Sequence, residues 1–289
     1  MDQIKIGIGV SSVGRFLPLV ALATGLFEKK NIAVEVVNRQ DEEKIIDDIV
    51  AGVTPIGTPN APSLIFSLLA GNDLVMVGGV LNRPAFFLVA NASTKGIADL
   101  KDKRIGINQP RRMAGMVMLA LLRRWGFNIE KNLTLVDLGL NDRSLEALRD
   151  NQIDAALLPP EKAFLAESEG CSIIADSFEL DFHWVPLATT RQFLADNREL
   201  VARIAGVYVE SIRVFKTQPE KTVKEIGRWL PALANKPEVL AKCYRLFADR
   251  FEESLAPSLT SISSILKDAA LQDSRAGGIR AESIIETVL

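Results

Sequence analysis

Histidine is nearly missing from this sequence. One residue, His183, stands in 289, which excludes metal sites built from several histidines and leaves at most one imidazole for any triad. Cysteine is almost as scarce. Cys171 and Cys243 fall in segments read below as different domains, so buried thiols are expected and a disulfide between them is not. Neither sign of charge is in excess: Lys and Arg total 34 against 36 Asp and Glu, a net −2. That balance gives no support to nucleic-acid binding or to a polybasic membrane surface. No apolar run approaches the roughly 20 residues of a membrane span.

What is present is the composition of a globular protein, 48% apolar and 24% charged. Residues 4–28 read IKIGIGVSSVGRFLPLVALATGLFE. Ile4, Ile6, Ile8 and Val10 recur at period two, which predicts a strand. Ser11, Ser12 and Gly14 break it, and apolar spacing over 16–27 predicts a helix. Strands are then expected at 32–37, 53–57 and 74–80, with helices at 41–51 and 63–70 between them and Gly52 closing the first. The alternation starts again after a strand at 85–89. Strands follow at 104–107, 133–136, 155–158 and 172–175, with 185–189 closing this second set. βαβ alternation of this kind makes parallel sheets covered on both faces, an α/β fold. From Arg191 onward the pattern is helical, over 199–215, 219–230, 237–251 and 257–271, with Pro219, Pro237 and Pro257 in first-turn positions. Residues 1–87 and 190–289 are expected in one lobe and 88–189 in the other. Crossings near 85–91 and 185–190 would form a hinge over a cleft.

In open α/β sheets ligands sit beyond the carboxyl ends of the strands, where loops enter helices. That rule selects Ser11, Ser12, Arg15 and Phe16 after the first strand, and Thr58, Pro59 and Asn60 after the third. Asn82 and Arg83 follow the fourth. In the second set it selects Asn108, Gln109, Arg111 and Arg112, then Pro159 and Glu161. His183, before the returning strand, is a further candidate beside Trp184. Ser11, Ser12, Thr58 and Asn60 are also good helix caps whatever the function. Glu161 suits a helix first turn on dipole grounds alone. GIGVSSVG is neither a dinucleotide nor a phosphate loop. Ser12 stands where the third glycine is required, and Gly14 is followed by Arg15 and Phe16 instead of Lys and Ser or Thr.

The opening stretch, continued as KKNIAVEVV, resembles the start of the solute-binding proteins of the nitrate, sulfonate and taurine type of ABC importer. That superfamily also includes pyrimidine-precursor synthases. The likeness runs on through IGTPNAPSLIFSLLAGNDLVMVGG, IADLKDKRIGIN, LEALRDNQIDAALLPPEKAFLAESEG and LATTRQFLADNRELVARIAGVYVESIRVFKTQPEKTV. The resemblance implies a two-lobed type II periplasmic binding fold, helical at its C-terminal part, that closes on a small ligand and presents it to a membrane permease. It also implies ligand contacts from the loops at Ser11–Phe16, Thr58–Asn60, Asn108–Arg112 and Pro159–Glu161. No cofactor, metal or nucleic acid is expected, and a monomer is.

Helix N-termini converging on a cleft, with an arginine among them, favour an anion such as a carboxylate, a sulfonate or an aromatic acid. The ligand is expected to favour a closed form over an open one. An enzyme on the same fold, with Glu161 or His183 as acid or base, is the alternative reading. The cysteine-rich segment and histidines of the pyrimidine-precursor synthases have no counterpart here. No leader pattern precedes Ile4. The expected location is periplasmic or lipid-anchored outside the cell if an export signal has been removed, and cytoplasmic if the given start is native.

Overall fold

Strands form where the period-two pattern places them. In a computed structural model, which describes residues 1–9, 12–39, 41–139 and 143–289, β1 spans Asp2–Ile8, β2 Ile32–Asn38, β3 Ile56–Gly57, β4 Leu74–Leu81 and β5 Phe87–Ala90. They are followed by β6 Lys103–Ile107, β7 Leu133–Asp137, β8 Ala155–Leu158, β9 Ser172–Asp176 and β10 Val185–Thr190. The chain divides into two compact units, residues 1–82 with 183–289, and residues 83–182. These divisions fall a few residues before the boundaries expected at 87/88 and 189/190.

Each unit has one sheet, with strand order β2-β1-β3-β10-β4 in the first and β7-β6-β8-β5-β9 in the second. In the first, β1 pairs parallel with β2 and β3, while β10 runs antiparallel between β3 and β4. In the second, β6 pairs parallel with β7 and β8, while β5 runs antiparallel between β8 and β9. Both sheets are therefore mainly parallel, with one reversed strand in fourth place. The expectation that 185–189 closes the second set is corrected here, because β10 pairs within the first sheet. Its residues Ala188 and Thr189 face Gly57 and Ile56 of β3.

Burial explains the strand compositions. All eight residues of β4, LVMVGGVL, are buried, as expected of a strand covered on both faces. The C-terminal segment lies against it. Gly79 N–H donates to the Leu255 carbonyl at 2.7 Å, and a Cβ on Gly79 would stand 2.7 Å from Pro257 Cα. Near the end of the chain Ile285 bridges in parallel to Met76 of β4.

The helix expected over 16–27 is preceded by a 3-10 turn, Val13–Arg15, and is broken into helices Leu17–Ala23 and Leu26–Lys29. Gly25, at φ +67°, makes the break, a backbone angle that glycine reaches without steric cost. The strand expected at 53–57 shrinks to Ile56–Gly57. Helix Arg198–Thr217 packs on Leu17–Ala23. It buries Val201, Ile204, Val207, Tyr208, Ile212 and Phe215, each large apolar side chain stabilising by roughly 1.5–3 kcal/mol. Pro219 and Pro237 do open helices, Pro219–Trp229 and Pro237–Arg250. Pro257 does not. The next helix is Leu259–Ala269, capped by Ser258, whose Oγ accepts from Ser261 N–H. No helix among the described residues is long and apolar enough to cross a membrane.

Candidate functional site

At the carboxyl edge of the first sheet, the turn after β1 is shaped by two small residues. Ser12 Oγ accepts from Gly14 N–H at 3.3 Å, opening the 3-10 turn Val13–Arg15. Gly14 allows that turn to settle onto its neighbours, because a Cβ there would lie 2.7 Å from Leu81 Cδ1 and 2.9 Å from Phe247. Arg15 follows the turn inward and is only 2% exposed.

Its guanidinium joins two loops. Nε donates to the Thr58 carbonyl at 3.1 Å, and a terminal nitrogen donates to Asn60 Oδ1. Thr58 N–H in turn donates to the Gly7 carbonyl of β1 at 3.0 Å. The loops after β1 and β3 are thereby locked together by one cation. Thr58 Oγ1 is buried and has no hydrogen-bond partner among the described residues. Phe16 and Pro59 are buried beside them. Ser11 lies outside the described residues.

Asn60 differs from its expected role as a cap. It occupies the N-cap position of helix Ala61–Leu69, but its side chain makes no capping bond. Its oxygen is committed to Arg15. The first N–H of that helix, on Ala61, donates instead to the Trp184 carbonyl at 3.0 Å, and Trp184 N–H donates to Leu81 at 3.0 Å. The segment before β10 therefore seals the helix start to the sheet.

Asn82 is occupied at both ends of its amide. Nδ2 donates to the Ala256 carbonyl at 2.9 Å and Oδ1 accepts from Ser258 N–H at 2.9 Å. It staples the C-terminal segment to the end of β4. His183 is fully buried, and neither ring nitrogen has a partner among the described residues. Its N–H donates to the Ser261 carbonyl at 3.2 Å. Burial pushes the imidazole pKa down to about 3, so the ring is neutral at physiological pH and poorly suited to proton transfer.

In the second unit, the loop after β6 carries Asn108, Gln109, Arg111 and Arg112. Asn108 Oδ1 accepts from Ser144 Oγ at 3.1 Å. Arg112 N–H donates to the Gln109 carbonyl at 2.9 Å, and Arg112 is the N-cap of helix Met113–Arg124. Gly115 lets this loop fold back on that helix, because a Cβ there would stand 2.3 Å from the carbonyl oxygens of both Asn108 and Gln109. Arg111 is exposed and Arg112 half-buried.

Pro159 is the N-cap of helix Pro160–Ser168, and Glu161 in its first turn is buried at 4% exposure. Arg83 pairs with Asp181 at 2.6 Å on the surface. Phe86 N–H donates to Ser177 Oγ at 2.9 Å. Ser144 and Ser177 are buried partners of these loops that strand-end reasoning passes over. A serine opening a helix beside a strand-end asparagine is the one signal that would have found Ser144.

Of the sequence candidates, Arg15, Thr58 and Asn60 are bonded into one cluster, and Ser12 shapes the turn that carries it. Among the described residues no three His, Cys, Asp or Glu side chains are grouped to hold a metal ion. The acid held clearly low by a partner in the second unit, Asp154 bonded to Arg104, precedes β8 at the amino end of the strands and braces the sheet.

The chain is similar in fold to the alkanesulfonate-binding protein SsuA of Xanthomonas axonopodis pv. citri bound to MOPS, at 16% identity and TM-score 0.80, covering 99% of each chain. It is equally similar to the periplasmic aliphatic sulphonate binding protein SsuA of Escherichia coli, at 17% identity and TM-score 0.81, covering 99% of this chain and 97% of that one. A Candida albicans protein with the generic periplasmic binding protein fold matches at 11% identity and TM-score 0.74, covering 99% and 97%. A comparison with curated proteins finds no match. The fold is thus that of the periplasmic binding proteins. The NMT1/THI5-like family model matches residues 16–222, a span that begins one residue after Arg15 and takes in the strands from β2 to β10, and the chain belongs to that family.

Proposed function

We propose that the chain is a substrate-binding protein that captures a small organic anion, a carboxylate, sulfonate or aromatic acid, outside the cytoplasm and delivers it to an ABC-type permease. The observation that carries this reading is the Arg15 guanidinium, buried at the carboxyl edge of the first sheet and bonded to the Thr58 carbonyl and Asn60 Oδ1. A unit anion about 5 Å from such a cation gains roughly 3 kcal/mol at an effective dielectric of about 20. Micromolar binding needs about 8 kcal/mol, so one buried cation supplies a substantial share. The sulfonate-binding proteins that share the fold support the same ligand class.

Calorimetric titration with alkanesulfonates, aromatic acids and neutral heterocycles tests the reading. The anions are expected to bind, and binding confined to cations or neutral molecules would sink it. Mass spectrometry of the bound acid after incubation separates capture from catalysis. The expected result is unchanged acid that raises the melting temperature, and a converted product would favour an enzyme.

A further inference from the structure

We propose that Arg15 is a positioning residue that sets the polarity of the Asn60 amide, holding Oδ1 inward and presenting Nδ2 as a fixed donor to an acceptor group on the ligand. A guanidinium carries donors only, so the amide atom that faces it must be the oxygen. Arg15 donates to Asn60 Oδ1 from 45 residues away in the sequence. The same guanidinium is held by the Thr58 carbonyl at 3.1 Å, so it cannot swing to release the amide without breaking the loop contact. An amide nitrogen lies about 120° from its oxygen on the same carbon, and Asn60 Nδ2 donates to no described residue.

Asn60 also forgoes its capping bond to helix Ala61–Leu69. An asparagine at an N-cap ordinarily turns its oxygen toward the helix, and here the arginine has taken it. The amide is therefore oriented from behind and cannot flip to suit a donor ligand. The consequence is selectivity for acceptors, carboxylate and sulfonate above all, over amines and alcohol donors. This rests on the ligand-binding reading above and narrows it to the group that meets Asn60.

The test uses the full chain and four variants, N60D, R15M, R15K and N60D with R15M, with pentanesulfonate, pentanoate and pentylammonium as probes. N60D keeps an acceptor toward Arg15 and replaces the outward donor with a carboxylate oxygen. It is expected to melt at or above the wild-type temperature when Arg15 is present, and below it in the R15M background, where the buried carboxylate faces no cation. Its affinity for pentanesulfonate or pentanoate is expected to fall roughly 10- to 100-fold. R15M should weaken the same probes and narrow the preference for anion over amine, and R15K, still a donor, should restore most of both.

Equal melting shifts for N60D in the two backgrounds, or unchanged anion affinity in N60D, overturns the proposal. Binding of pentylammonium alone by the wild type overturns it together with the anionic reading. A wild type that responds to no probe overturns the anionic reading, and the N60D melting comparison then decides the Arg15–Asn60 pairing by itself.

Discussion

His183 shows what a single buried group does to the whole stability curve. Its pKa is about 3 in the folded chain because burial penalises the charged ring, against about 6.5 in an unfolded one. The unfolded state therefore binds the proton first as pH falls. The stability that depends on a neutral ring is complete above about pH 6.5 and drains away down to about pH 3, at roughly 1.4 kcal/mol per pH unit. Denaturant unfolding at pH 6.5 and pH 4.5 should show the wild type losing roughly 2–3 kcal/mol more than H183F. An equal loss in the two proteins would mean that the ring titrates normally. At this scale the sequence was a partial guide. It located Arg15, Thr58 and Asn60 correctly at strand ends, because the end of a period-two run can be read locally. It could not show that Arg15 would take the Asn60 oxygen, since that bond joins residues 45 positions apart and depends on how the turn at Gly14 packs. Nor does the sequence show that both ends of the Asn82 amide hold the segment 256–258, residues more than 170 positions away.

Among the elements, the loop after β6 depends on one missing methyl group. Gly115 sits inside helix Met113–Arg124, where alanine would ordinarily be better by about 1 kcal/mol. Here a Cβ would stand 2.3 Å from two backbone oxygens, and backbone cannot rotate aside as a side chain can. G115A is therefore expected to destabilise the protein by roughly 1–3 kcal/mol, with amide chemical-shift changes concentrated at Asn108 and Gln109. A stabilised G115A would show that the loop moves freely off the helix. The helices were the most legible elements, because Arg198–Thr217 and Pro219–Trp229 carry both helical periodicity and clear starts. Short β3 and the broken helix after Arg15 were less so. In both, tertiary packing outweighs the local pattern.

On the scale of the whole molecule, the two sheets repeat one plan, with a reversed strand in fourth place in each. The alternation of elements predicted an α/β fold with two sets of strands, yet it put β10 with its neighbours in the chain. Sequence order favours neighbours as partners. β10 instead pairs with β4, a strand more than a hundred residues earlier, and no local pattern carries that information. The first sheet is thus incomplete until residue 190 has been made, whereas the second, residues 83–182, is continuous in the chain.

The bridge from Ile285 to Met76 has a further consequence. β4 is the last strand of its sheet, and its apolar sequence would offer an unpaired row of N–H and C=O groups to any passing chain. Residues 252–255 shield that row at Gly79 and Val80, and the tail shields it at Met76. Glu286 N–H donates to the Met76 carbonyl at 2.9 Å, and Arg191 and Arg198 hold Glu286 and the Thr287 carbonyl in place. Ending the chain at residue 280 is expected to leave a folded protein that self-associates as its concentration rises, visible by sedimentation velocity. A truncated chain that stays dispersed at every concentration would show that the edge needs no cover. Self-association of the truncated chain would mean that residues 281–289 serve colloidal stability, keeping copies of the chain from adding strands to one another.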